Sequence, residues 1–297
     1  MTTIAAIRSR PIVIPLERET AFSTRSLKDR HYALVEVVGD DGVVGTGFCY
    51  VGHAGSQLVA DAVRLLLNRR AVGEDIHRVE GLWADLYQEV LLHGRAGLVM
   101  RALSALDIAI WDHNAKAAAM PLHKMLGSAV TDTVRAYASG GYYREGKSPE
   151  MLAEEAIRYV DEGFDAIKVK VGRDGDLHAE EARLAAVRTE IGPEPLLMLD
   201  ANNAWTDVAE AYRFARMAEA YDPYWIEEPF SPDDINSHER LATLTAIPIA
   251  TGELEAGRWR FKELVTRRAA SIGQPDACVC GGVTEFRRIV ALAKVSV

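Results

Sequence analysis

Five short apolar runs in the second half of the chain each end in a charged residue, at nearly even intervals. AIKVKV carries Lys168 and Lys170, LLML runs into Asp200, YWI into Glu227, IPIATG into Glu253 and SIGQP into Asp276. From Lys170 onward the steps are 30, 27, 26 and 23 residues. One step holds a strand, a helix and two loops, so the charged groups fall at the C-terminal ends of successive parallel strands. An α/β barrel gathers its active-site residues at those ends. From Val134 six such strand–helix units can be traced, whereas a closed barrel needs eight. The expected fold class is therefore α/β, a TIM-type (β/α) barrel, incomplete here, with about six of eight units. The last residue, Val297, falls about where the next strand would begin, so the sequence is expected to be part of a longer product.

Lys168 and Lys170 are two apart in a strand and share a face. Like charges raise each other's cost, which predicts a lowered pKa for at least one ammonium and a usable base. Asp200, Glu227 and Glu253 would repel one another in one mouth unless a cation neutralised them. An all-oxygen set suits Mg²⁺. Taken singly, each has a plainer reading: Asp200 could cap a turn, and Glu227 or Glu228 could face solvent. Asn202 would project from the same rim as Asp200. Asp276 could orient a histidine, or could simply cap the following helix.

Residues 1–127 read as a separate α+β domain capping a barrel domain at 128–297. Val- and Ile-rich strands come first, with a hairpin over 31–50. Polar residues 17–30 lie between the first strand and this hairpin and read as a long loop, either a lid or plain surface. Apolar positions then recur at three and four, as in amphipathic helices. MRALSALDIAIWDHNAKAAAM is almost wholly apolar and reads as a buried helix, followed by a short helix PLHKML. His77 and His93 fall in helical segments and read as surface or packing residues. His53 lies in a Gly-rich turn and could reach a ligand.

Charged residues make up 26% of the chain and the net charge is −9, with no basic stripe, which argues against a nucleic-acid partner. The three cysteines, Cys49, Cys278 and Cys280, do not suggest a disulfide framework, and a reducing cytoplasm fits them. Cys278 and Cys280, read as extended, would point to opposite faces. No apolar stretch approaches the length of a membrane span, and the N-terminus lacks a long apolar signal core.

These residues together resemble the enolase superfamily, in its mandelate racemase subgroup, over essentially the whole chain. The resemblance rests on Lys168-Val169-Lys170, Leu199-Asp200-Ala201-Asn202, Ile226-Glu227-Glu228-Pro229, Thr251-Gly252-Glu253 and Gln274-Pro275-Asp276, in that order. The first domain resembles the family's capping domain through ALSALDIAIWD and PLHKMLG. The resemblance implies one Mg²⁺ held by Asp200, Glu227 and Glu253 and chelating a small carboxylate substrate. Lys170 would take the proton α to the carboxylate, and Lys168 would tune it and neutralise charge. Asp276 would pair with a histidine on the next strand. An aspartate rather than a lysine on the sixth strand favours acid-sugar dehydration to a 2-keto-3-deoxy acid. Racemisation or epimerisation of a 2-hydroxy acid, and a catalytically incomplete barrel, are the alternatives. Ser139, Asn202, Phe22 and His53 are the expected substrate contacts, and the family implies a homo-oligomer.

Overall fold

The computed structural model describes residues 1–127, 132–173 and 175–294. The first half opens with a three-stranded antiparallel sheet in sequential order, made of β1 (Ile4–Ala21), β2 (Ser26–Gly39) and β3 (Val44–Gly52). The turn at residues 40–43 joins β2 to β3, as the hairpin signal indicated. Residues 17–30 differ from the expected loop. β1 and β2 run through most of the segment and pair at Thr20–Leu27 and Ala21–Ser26, leaving only residues 22–25 as a turn. Polar composition hid this because both faces of the projecting arm are largely solvated, so neither alternates with an apolar partner.

Helices α1 (Ser56–Ala62), α2 (Asn68–Ala71), α3 (Val79–Glu89), α4 (Gly97–Ala117) and α5 (Leu122–Met125) follow, with a π-helical stretch, Val63–Leu67, between the first two. α4 is the apolar helix expected from the sequence, and it lies on the sheet with Leu103, Leu106 and Ile110 in the core. The contact is close because Gly45 and Gly47 present no side chain. A Cβ at either position would collide with the α4 carbonyls of Ala109 and Ala105. His77 and His93 lie in the turns before and after α3 rather than in helices. Apolar periodicity reported the helix correctly and overran both of its ends.

The second half is a six-stranded parallel sheet in sequential order. Its strands are β4 (Ala138–Ser139), β5 (Ala166–Lys170), β6 (Leu196–Asp200), β7 (Pro223–Glu227), β8 (Ile249–Thr251) and β9 (Ile272–Gly273). The helices that alternate with them are α6 (Pro149–Asp161), α7 (Leu177–Ile191), α8 (Val208–Ala218), α9 (Ile235–Leu244), α10 (Arg258–Thr266) and α11 (Gly282–Lys294). Ser148 caps α6 by accepting the Met151 N–H at 3.3 Å, and Gly163 follows its end at φ 96°. The two-domain boundary expected at 127/128 touches residues 128–131, which lie outside the described residues.

Strand alternation sorts the barrel half into two layers. Ile167, Val169, Leu197, Leu199 and Ile226 point outward into the core beneath the helices. Ala166, Met198, Trp225 and Ala250 point the other way and form a small apolar floor inside the sheet. Lys168, Lys170, Asp200 and Glu227 are the next inward positions above that floor. Segment 277–280 is a turn, not an extended run, so Cys278 and Cys280 do not alternate; all three cysteines are free. Among the described residues no helix is long and apolar enough to cross a membrane.

Candidate active site

Parallel register sets the centre of the site. Lys168 lies opposite Ser139 on β4, and Lys170 opposite Asp200 on β6, which in turn faces Glu227 on β7. All four charged groups are buried. Lys170 Nζ donates to Asp200 Oδ2 at 2.5 Å, and Lys168 Nζ donates to Glu227 Oε1 at 2.6 Å and lies 3.4 Å from Asp200 Oδ2. Glu227 Oε2 also accepts from Trp225 Nε1 at 3.2 Å and Gln274 Nε2 at 2.9 Å. The expected mutual lowering of the lysines does not occur at Lys168. Burial alone would depress its ammonium, but the Asp200 and Glu227 charges outweigh burial and raise its pKa above the usual lysine value.

The carboxylates outnumber the ammoniums. Glu253, two residues past β8, is raised above the ordinary glutamate value by burial and by the Glu227 and Asp200 charges. Glu228 is buried, its Oε1 has no hydrogen-bond partner, and burial with the charges of Glu253, Asp200 and Glu227 pushes it up to about 9. The solvent-facing alternative for Glu227 or Glu228 is therefore wrong for both. Glu228 turns inward because its backbone sits at φ 45°, which breaks the strand alternation that would point it away. Sequence reasoning passed over it for that reason. Asn202, also at positive φ, lines the same rim with an unpartnered Oδ1, while its N–H donates to Asp200 Oδ1 at 2.9 Å.

Among the described residues no three Asp, Glu, His or Cys side chains stand together as a metal shell. The reason is electrostatic: Asp200 and Glu227 turn onto the lysine ammoniums. The donor chemistry nevertheless fits a hard divalent cation. Four carboxylates face two ammoniums, every donor is oxygen, and Glu228 Oε1 and Asn202 Oδ1 are buried without partners.

A cavity of about 390 Å³ lies over this cluster, walled on one side by the barrel and on the other by the cap. Lys168, Lys170, Asp200, Glu253, Asp276, Ser139, Asn202, Phe22 and His53 all line it; Glu227 sits behind, against Lys168. Asp276 follows β9, and its Oδ1 accepts the Cys278 N–H at 2.7 Å, as a turn-capping carboxylate does. The turn of the β1–β2 arm closes over the mouth. Ser23 Oγ donates to the Val171 carbonyl at 2.5 Å and Thr24 Oγ1 to that of Asn202 at 3.1 Å. Phe22 and Tyr142 then flank Lys170 Nζ, with ring centroids 5.1 and 5.3 Å away. Tyr142 gave no sequence signal because it lies in irregular chain between β4 and α6.

Two family profiles match the chain in tandem: the mandelate racemase / muconate lactonizing enzyme N-terminal domain over residues 3–127, and the enolase C-terminal domain-like profile over 151–296. The chain belongs to the mandelate racemase / muconate lactonizing enzyme family. It is 35% identical to the D-galactarolactone cycloisomerase of Agrobacterium fabrum, over 98% of this chain and 75% of that protein. It is 34% identical to the arabinonate dehydratase of Saccharolobus solfataricus, over 94% of this chain and 74% of that one. The crystal structure of L-talarate dehydratase from Polaromonas sp. JS666, complexed with Mg and L-glucarate, superposes with a TM-score of 0.91. That pair is 31% identical, covering all of this chain and 80% of the other. Membership of the family, and with it the barrel-plus-cap architecture, agrees with the expectation from Lys168 to Asp276. The relatives are named as enzymes, one a dehydratase and one a cycloisomerase, in line with the expected lyase and its isomerase alternative.

Proposed function

We propose that the chain is a Mg²⁺-dependent lyase that removes the proton α to a carboxylate and dehydrates a sugar acid to a 2-keto-3-deoxy acid. The observation that carries this is the buried Lys168–Lys170 pair, held in register against Asp200 and Glu227 beneath a capped cavity. The dehydratases among the relatives, and the magnesium in a solved neighbour, support the reading.

Asp200, Glu227 and Glu253 would hold the cation, with Glu228 and Asn202 on the same rim. When bound, Mg²⁺ supplies fixed positive charge beside the substrate carboxylate, where negative charge develops in the transition state. Lys170 faces the cavity and takes the α-proton. Its Asp200 contact and the Phe22 and Tyr142 rings set the direction of its Nζ. Lys168, held protonated by Asp200 and Glu227, adds a second fixed positive charge for the developing enediolate. The departing 3-hydroxyl must receive a proton, and Asp276 orients the group that gives it. Ser139, Asn202, Phe22 and His53 are proposed substrate contacts because they share the cavity wall. The test is incubation with aldonic and aldaric acids and Mg²⁺. A 2-keto-3-deoxy product is expected; its absence with every acid, beside intact metal binding, would overturn the reading.

The cycloisomerase among the relatives supports the second reading, an isomerase that takes the same α-proton and returns it without elimination. α-Deuterium exchange without elimination would select it. The same proposal includes a division into a cap at 1–127 and a catalytic domain at 128–297, a cytoplasmic homo-oligomer, and a small carboxylate as ligand. Light scattering on the purified chain decides the oligomer.

A further inference from the structure

Tyr142 reaches the site from the irregular chain at 140–148, between β4 and α6. Its ring nevertheless stands 5.3 Å from Lys170 Nζ and 5.4 Å from the Phe22 ring. A buried ion pair holds the chain on both sides of it. Lys147, near the end of the loop, meets Glu155 on α6 at 2.5 Å, with side chains 6% and 10% exposed. Each charge also binds one peptide group of the Gly141–Tyr142 dipeptide. Glu155 Oε1 accepts the Gly141 N–H at 2.9 Å, and Lys147 Nζ donates to the Tyr142 carbonyl at 3.1 Å. The Tyr159 hydroxyl donates to the same Glu155 oxygen at 3.2 Å. The fit is tight. A Cβ on Gly140 would collide with Glu155 Oε1 and the Tyr159 hydroxyl. One on Gly141, at φ 67°, would collide with the backbone of Val169, the neighbour of Lys170.

Neither Lys147 nor Glu155 is among the described residues that line the active-site cavity. Burying an ion pair costs desolvation, and an apolar pair of similar volume often serves stability equally well. An apolar pair cannot, however, hold an N–H and a carbonyl at set positions. We infer that Lys147 and Glu155 are positioning residues for proton abstraction, fixing the backbone on both sides of Tyr142 so that its ring stays against Lys170 Nζ. This rests on the proposed function, in which Lys170 takes the α-proton, and adds two residues that act only through Tyr142. The ring matters because Lys170 carries its nitrogen on a flexible four-carbon stem. A reacting group misplaced by about 1 Å can cost about 10²-fold in rate.

The test is a double-mutant cycle on α-deuterium exchange in D₂O, with Mg²⁺ present and galactarate, D-arabinonate and L-rhamnonate as probes. Glu155→Gln keeps the shape of the side chain and loses its charge. It should lower kcat for exchange about 10- to 100-fold and leave KM within about threefold. Tyr142→Leu should lower kcat by a similar factor. Glu155→Gln added to Tyr142→Leu should then lower kcat no further, because the ring it positions is already gone. Lys147→Arg, which keeps the charge and the donors, should retain most of the parent rate. Circular dichroism selects the folded variants, and if Glu155→Gln does not fold, Lys147→Gln takes its place in the cycle. A merely structural pair would give factors that multiply in the double variant. That pattern, or an unchanged kcat in Tyr142→Leu, would overturn the inference and leave proton abstraction by Lys170 standing. Absence of exchange by the parent with all three acids would overturn the two together.

Discussion

At the residue scale the site is a charge-matching problem. Lys170 faces the cavity, is buried, and has Asp200 as its ion partner, so it is the group whose loss should stop proton abstraction. Lys170→Met, which keeps the length of the stem, is expected to slow α-proton exchange in D₂O by about 10²- to 10⁴-fold. Exchange at the parent rate would remove Lys170 from the chemistry. A second outcome concerns the carboxylates. Asp200, Glu227, Glu228 and Glu253 repel one another, so a divalent cation that binds the folded chain should stabilise it. Mg²⁺ at about 100 times its dissociation constant should add about 2.7 kcal/mol, read as a rise in melting temperature that EDTA reverses. No rise at millimolar Mg²⁺ would count against a metal site. Lys168, Lys170, Asp200, Glu227 and Glu253 were legible in the sequence because each ends an apolar run. Glu228 was not. Its place in the site depends on one positive φ, which leaves no periodic trace.

At the scale of elements, the barrel strands and their helices followed directly from the repeat, since alternation in β5 to β7 separates an outward apolar set from an inward charged one. The β1–β2 arm did not, because its residues pair with each other and bury little. The arm matters through what it touches. Ala21 pairs with Tyr143 through backbone hydrogen bonds of 3.3 and 3.1 Å, and the Tyr143 hydroxyl donates to buried Glu180 at 2.5 Å. Arg183 on α7 stacks on the Tyr143 ring at 4.3 Å and donates to the carbonyls of Lys170 at 3.1 Å and Gly141 at 3.2 Å. The arm, the first barrel loop and the base-bearing strand thus share one buried network. Arg183→Met would leave Glu180 buried beside a neutral side chain and free two carbonyls, at a cost of about 3–5 kcal/mol. It should also lower kcat about tenfold with little change in KM, since Lys170 loses its support while the binding wall stays. A rise in KM alone would refute the positioning role. In contrast, Ser23→Ala with Thr24→Ala should raise KM several-fold and shift stability by less than about 0.5 kcal/mol.

At the scale of the molecule, a polar seam joins the cap to the barrel between α4 and the start of α11. Asp107 on α4 accepts the Thr284 N–H at 2.9 Å and the Thr284 hydroxyl at 2.6 Å, at the start of α11. Trp111 Nε1 donates to Thr284 Oγ1 at 2.8 Å, the Gly281 N–H donates to Ser104 Oγ at 2.9 Å, and Trp83 Nε1 donates to the Gly281 carbonyl at 2.6 Å. Gly282 sits at φ 85°, and a Cβ there would collide with the Asp107 carboxylate, so the seam admits no side chain at that point. The seam was invisible in the sequence because its partners are far apart, Asp107 and Thr284 by 177 residues. Burial pushes the Asp107 carboxyl up to about 7, against the two Thr284 hydrogen bonds and the Arg288 charge that lower it. The charges of Arg288 and Glu80 act on it from α11 and α3. Between pH 4 and 7 the folded chain then keeps a proton that the unfolded chain releases, so stability is lost as pH rises through that window. The loss reaches at most about 4 kcal/mol, three pKa units at 1.36 kcal/mol each. Asp107→Asn removes that titration and carries a constant cost for its mismatched amide. The measurement is therefore the difference in unfolding free energy between variant and parent, followed by urea denaturation from pH 4 to 8. The parent's advantage should shrink steadily up to about pH 7 and then level. A flat difference across the range would mean that Asp107 is ionised throughout and that the seam is held by a charged carboxylate instead.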